Sequence, residues 1–501
     1  MKLQAAGESL LERFSQSSNQ TPEGNAVLLA WVRIFLGLIL CWRSYFIARD
    51  AVFYFDATTW LGIEANWLAL AAWAYFGLAI CLTVGLATRL VALILFLTIY
   101  PFGVATITFN LGPQIMMPMF AAIGLLHGGA VWSVDALLWR RERLKLPGLR
   151  ATQSVKLTLF LFCSALHLAA AQFHLHDSHW LRGRTVEYML TNSYLCRHYD
   201  LFRAWEANSP ATLHMLSVSA TIGQTVFQLA MIPLVFFFWG RMFVIAYGAL
   251  FALISLAFLQ ISMLPWVELV LWAWLFMPTA WIPLSWMQTS LSFPTISVRP
   301  VSFVTKAFVG AYLTAMVLCV TQAMLANHFE LRLPDSVVHY GVRRVGLMPP
   351  NVFNHVDLSV GDHWAMIYRY DKGRKALLPL NAVDGHRLRW HRSDLIYYAN
   401  SLRWRRYILE DDPGRFHETK AMGHQFIAAM MRYDFRRHRL NEDTVYEVVV
   451  YGSEGAKGEF GNMERHQAHV LLRYSATVNR NQVQLLDRLP GRLVAANDST
   501  R

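Results

Sequence analysis

Residues 27–48 read VLLAWVRIFLGLILCWRSYFIA, and among them only Arg33 and Arg43 carry charge. About 20 mostly apolar residues let a helix cross the hydrocarbon of a bilayer, so this run predicts a membrane helix. The residues ahead of it, 1–26, are polar, and no small-residue cleavage site follows. That pattern reads as a retained helix and not a removed signal peptide. Eight further apolar runs lie near 67–86, 89–109, 114–132, 153–174, 211–238, 241–261, 263–284 and 303–326. The expected fold is an all-α polytopic membrane bundle of about nine transmembrane helices over 27–326, behind an N-terminal tail, 1–26.

Charge divides the chain. Residues 331–501 hold 26 Lys/Arg and 19 Asp/Glu, whereas 1–330 hold only 19 and 14. Soluble domains carry about 25% charged residues. The second part matches that and reads as a soluble domain; the first does not. A purely soluble enzyme, a disulfide-stapled secreted domain and a disordered chain are excluded. The five cysteines, Cys41, Cys81, Cys163, Cys196 and Cys319, show no metal or redox spacing, and none lies beyond 331. Basic and aromatic residues interleave at Arg403-Trp404-Arg405-Arg406-Tyr407. Beside a membrane region this reads as a basic surface near anionic lipid, so the bilayer, and not nucleic acid, is the expected partner.

Short cytoplasmic loops carry the Lys/Arg excess. The densest cluster, Arg140, Arg141, Arg143, Lys145 and Arg150, therefore goes inside, together with Lys2, Arg13, Arg89, Arg241 and Arg299. Nine crossings then give a multi-pass protein of the plasma (inner) membrane. Its N-terminus is cytoplasmic, and its long loop 175–210 and domain 331–501 are extracytoplasmic. Arg43, Arg49, Arg182 and Arg184 go against the rule.

Polar side chains inside a bilayer are costly and mark structure or function. Arg33 reads as snorkelling or ion-paired, Gln224 and Gln228 as helix–helix hydrogen bonders, and Glu268 as a proton-handling carboxylate or a hydrated one. The densest polar cluster ends the fifth run: His167, then Gln172-Phe173-His174-Leu175-His176-Asp177-Ser178-His179-Trp180. His167 and His174, seven apart, share a helix face, and Ala170 and Ala171 let a neighbour or ligand approach closely. Three readings are open for these histidines: interfacial structural groups, a base or hydrogen bonder at a site, and metal ligands without a known motif.

Five phrases carry a resemblance: Val32-Arg33-Ile34-Phe35-Leu36-Gly37, Gly85-Leu86-Ala87-Thr88-Arg89-Leu90, Trp132-Ser133-Val134-Asp135-Ala136-Leu137-Leu138, His179-Trp180-Leu181-Arg182-Gly183 and Val186-Glu187-Tyr188. In their order and spacing the chain resembles the HTTM domain of vitamin K-dependent gamma-carboxylases and their bacterial relatives, as a divergent bacterial-type member. The resemblance covers about residues 25–290. It implies a cytoplasmic N-terminus, an external C-terminal domain and a quinone cosubstrate. Its animal members use a lysine near the end of the fifth helix, where this chain has Phe173 and His174. No lysine lies between Lys156 and Lys306. The family's Asn-His maps near Asn110-Leu111-Gly112, where only the Asn is kept. Glutamate carboxylation is therefore not expected. By the resemblance, His174 and Asn110 are the candidate catalytic residues, and His167 and Gln172 the candidate cofactor-binding ones.

In the C-terminal domain, His363–Tyr370, Tyr446–Tyr451 and His466–Tyr474 read as strands and Glu418–Arg437 as a helix, giving an α/β or β-rich module. Its histidines, His339, His355, His363, His386, His391, His417, His424, His438, His466 and His469, form no motif. Two functions remain open. One is a quinone- or lipid-using enzyme that modifies a peptide or lipid substrate at the outer membrane face. The other is a non-catalytic partner in maturation, export or immunity of a secreted peptide.

Overall fold

A computed structural model describes residues 14, 21–49, 65–105, 111–138, 148–191, 196–259, 261, 263–278, 302–329, 331 and 334 of the membrane part. In the C-terminal part it describes 363–371, 374–377, 431–432, 434–435, 440, 444–453, 468–479 and 482–486. Among the described residues, the membrane part is helical apart from turns and one isolated bridge, Cys196–Leu259. Its long helices are α1 (Pro22–Arg49), α2 (Ala65–Val84), α3 (Thr88–Ala105), α4 (Leu111–Leu125), α6 (Leu149–His174), α10 (Pro210–Leu234), α11 (Phe238–Phe258), α12 (Leu264–Phe276) and α13 (Phe303–His328). Short helices are α5 (Val134–Leu138), α7 (Ser178–Leu181), α8 (Thr185–Thr191) and α9 (Tyr199–Asn208). Five helices, α1, α6, α10, α11 and α13, are long and apolar enough to cross a membrane. Four shorter apolar stretches, Ala69–Val84, Thr88–Ile99, Leu111–Leu125 and Leu264–Phe276, accompany them.

Three of the quoted phrases meet at one point. Arg33 is fully buried and donates to four backbone carbonyls: Nε to Gly128 O (3.0 Å), Nη1 to Leu82 O (2.8 Å) and Thr83 O (2.7 Å), and Nη2 to Trp132 O (2.5 Å). The last carbonyls of a helix have no partner within it. Those of α2 are supplied here by a cation from α1. Asp135 closes the other side, accepting from Ala87 N and Thr88 N at 2.7 Å each, at the first turn of α3. Gly85 has φ +72°, and a Cβ there would strike Ser133 and the Arg33 guanidinium. Arg33 is thus held within the bundle by hydrogen bonds to carbonyls that satisfy its planar fork, and among the described residues it makes no direct ion pair.

At the same end of the bundle, the buried Lys156 of α6 donates to Asn25 Oδ1 (2.8 Å) and lies 6.0 Å from the Trp274 ring. At the opposite end α6 and α13 finish together, where His328 Nε2 and Gln172 Oε1 are 2.8 Å apart. The segment 175–210, expected to be loop, folds into α7–α9, apart from residues 192–195, which lie outside the described residues.

The C-terminal part contains β1 (His363–Asp371), β2 (Arg374–Leu377), β3 (Val445–Ser453), β4 (Ala468–Asn479) and β5 (Gln482–Leu486), in one sheet of order β2-β1-β3-β4-β5. All neighbouring pairs are antiparallel, with a bulge at Val450/Tyr451. Buried Asp434 binds Arg369 Nη1 through both oxygens (3.0 and 3.2 Å) and accepts from Tyr446 Oη (2.9 Å). The three expected strands are present. Of the helix expected over Glu418–Arg437, Met431–Arg432 and Asp434–Phe435 are helical, and the rest lies outside the described residues.

Arg33→Ala removes the guanidinium donors from four carbonyls, of which Leu82 O keeps Gly85 N, and is expected to cost about 3 kcal/mol of stability, with Arg33→Lys recovering little of it. Thermal unfolding in detergent micelles measures this. Wild-type stability in Arg33→Ala would remove the role given to this junction.

Candidate functional site

One stripe of α6 carries Cys163, Leu166, His167, Ala170 and His174, spaced so that all lie on one helix face. That face borders a cavity of about 910 Å³, enclosed also by α4, α7–α12 and the turn after α11. Ligand pockets run from about 300 to 1,000 Å³, so this one is large enough for a lipid-sized molecule. The lining is mostly aliphatic and aromatic. Its polar members include His167, His174, Gln224, Gln228, Ser255 and Glu268.

His174 is the last residue of α6 and is buried. Its Nδ1 stands 3.1 Å from Gln228 Oε1 of α10. An amide oxygen only accepts, so Nδ1 donates, and Nε2 is the basic nitrogen of the neutral ring. One ring face stacks on Trp180, with centroids 3.7 Å apart and planes 11° from parallel. Trp180 is placed by a local device: Asp177 accepts from His179 N (2.7 Å) and Trp180 N (3.4 Å) and so caps α7. Gly183, at φ +68°, then turns the chain into α8 where a Cβ would meet the backbone of Val218.

The roof is pinned to α10. Glu187 N donates to Ser217 Oγ (2.9 Å), Ser217 Oγ donates to Gly183 O (2.5 Å), and His214 Nδ1 lies 2.8 Å from Glu187 Oε2. From this frame Val186 and Met189 of α8 and Phe202 and Trp205 of α9 cover the cavity. The fourth and fifth quoted phrases therefore form its roof.

Deeper in, His167 lies edge-on to Phe227 at 5.5 Å. His167, Cys163 and Glu268 also line an adjoining void of about 10 Å³. That is close to the least volume that holds one water. Glu268 is buried, and lines both the cavity and the small void beside it.

The expected site residues thus separate. His167 and His174 come together on the cavity. Gln172 does not line it: two residues from His174, it lies about 200° around the helix and binds His328. Asn110 lies outside the described residues, next to Leu111, a wall residue. Gln228 makes the expected interhelical bond, while buried Gln224 Oε1 has no partner among the described residues. The other histidines diverge, with His176 stacked edge-on to His328 and His179 to Tyr188. Among the described residues, no group of three or more His, Cys, Asp or Glu stands close enough to hold a metal ion. Sequence reasoning missed the contributions of α8, α9 and α11, including Ser255. The signal for α8 and α9 is short amphipathic periodicity within a polar stretch. No family model, curated protein or solved structure matches the chain.

On the roof, burial and nearby Glu187 push the Glu206 carboxyl above the usual range against the opposing pull of Arg203, burial being the largest effect. The folded state therefore binds this proton more tightly. The resulting stability is present at acid pH and lost as pH rises through the raised value. Glu206→Gln is expected to raise the melting temperature at pH 8 and to leave it unchanged at pH 4. Equal effects at both pH values would contradict this.

Proposed function

We propose that the chain is an integral membrane protein of nine crossings that binds a quinone or similar lipid in the cavity beneath α7–α9. There it modifies a peptide or lipid substrate at the outer membrane face. The observation that carries this reading is the cavity itself: about 910 Å³ of mostly apolar space with a His174–Gln228 pair at its wall. His174, oriented by Gln228 and stacked on Trp180, is the hydrogen bonder or base in this reading, and His167 faces the ligand two turns deeper. Nine crossings are supported by the four shorter apolar stretches beside the five long ones. The orientation, with the Arg33 and Lys156 end inside, is supported by the basic clusters of the sequence. The HTTM resemblance rests on its five phrases, which cluster at the Arg33 junction and at the cavity roof.

Organic extraction of the purified protein, followed by mass spectrometry, is expected to recover a quinone or other isoprenoid lipid. His174→Ala and Gln228→Leu are each expected to lower its recovery about tenfold, the effect of losing a buried hydrogen-bond partner. Recovery of bulk phospholipid alone, with His174→Ala leaving the cellular phenotype intact, would sink this reading. It would favour the non-catalytic partner.

A further inference from the structure

The cavity wall has a one-sided charge inventory. Among its described residues there is no Lys or Arg; its ionisable members are Cys163, His167, His174, Tyr247 and Glu268. Three basic side chains of the bundle are held by backbone or amide oxygens outside the cavity lining. Arg33 is held by four carbonyls, Lys156 by Asn25, and Arg241 Nε by Val235 O at 2.8 Å. On the roof, Arg203 Nε binds Thr191 O at 3.1 Å. A phosphate or carboxylate in this apolar space would be a buried charge with no fixed counter-ion, a costly arrangement.

Hydrogen-bonding capacity, by contrast, is in surplus. Glu268 and His167 line the cavity without a hydrogen bond from any described residue. Two further wall residues, Gln224 and Ser255, carry side-chain oxygens that are enclosed and lack a partner among the described residues, so they reach a ligand only when those side chains turn towards the cavity. Carboxyl, amide and hydroxyl oxygens are acceptors, and a ligand hydroxyl supplies the matching donor.

The wall also opens sideways. Leu216 of α10 and Leu250 and Ile254 of α11 line the cavity, yet they are 42%, 53% and 44% exposed. Both helices are long and apolar enough to cross a membrane. The roof residues Leu201 and Trp205 also line the cavity and are 63% and 37% exposed, so the α10–α11 seam is one of two exposed flanks, and the one that would meet acyl chains if both helices cross a bilayer.

Resting on the reading of the cavity as a ligand site, we infer that it selects an uncharged, hydroxyl-bearing lipid. The lipid enters laterally from the bilayer between α10 and α11. The test uses the full chain in phosphatidylcholine nanodiscs, supplied from phosphatidylcholine vesicles with geranylgeraniol or geranylgeranyl phosphate, which share one chain and differ in headgroup. Native mass spectrometry reads retention. The alcohol is expected to be retained at least about tenfold better than the phosphate. Ile254→Trp and Leu250→Trp, which narrow the seam from its exposed side, are expected to slow uptake without abolishing final retention. Equal or better retention of the phosphate overturns the selectivity while leaving the cavity a ligand site. Unchanged uptake rates in both seam variants overturn the lateral route. Retention of neither probe overturns this inference, and absence of any extracted isoprenoid lipid as well takes the underlying reading with it.

Discussion

The guanidinium of Arg33 is the constraint on which the bundle depends. A charged group at this depth is tolerable only when its donors are met. Four carbonyls from the end of α2 and from the turn between α4 and α5 meet them. Asp135, returning to the first turn of α3, completes the junction. Four helices that share little sequence pattern beyond being apolar are thereby fixed in register. Apolar surface gives helices no preference for one another over lipid, so polar and close-packed contacts of this kind must set the arrangement.

With that end fixed, the other end is free to be hollow. α6 spans both: Lys156 lies near the start of α6 and His174 is its last residue. The roof over His174 is built from short helices whose positions come from caps and turns, namely Asp177, Gly183 and the Glu187–Ser217–Gly183 contacts. It is therefore a defined surface and not a loose loop. His174 is held from two directions, by Gln228 in the plane of its ring and by Trp180 across its face. Preorganisation of that kind is what a binding or catalytic group needs.

Much of the bundle was legible in the sequence because hydropathy reports helix position directly. Each of the nine apolar runs overlaps a helix, but five of these are long enough to cross a membrane, and the runs 114–132 and 263–284 extend well past the helices Leu111–Leu125 and Leu264–Phe276. The face shared by His167 and His174 was also legible, since residues seven apart on a helix lie on the same side. By the same geometry Gln172 lies off that face, where it pairs with His328. Glu268 was not resolvable, because distance from a helix end does not say what covers that end. The roof was hidden for a related reason: helices of 4–10 residues in a polar segment leave no hydropathy signal. The cavity is a product of packing among eight helices and has no counterpart in any single stretch of chain.

The proposed ligand site is the space beneath α7–α9. An experimental density map of the protein, extracted with its own lipids into nanodiscs, tests this most directly. The account predicts non-protein density running from the His174–Gln228 pair towards Glu268, with a tail emerging between α10 and α11. An interior packed solid by Trp180, Phe202 and Phe251, with no such density, would contradict it.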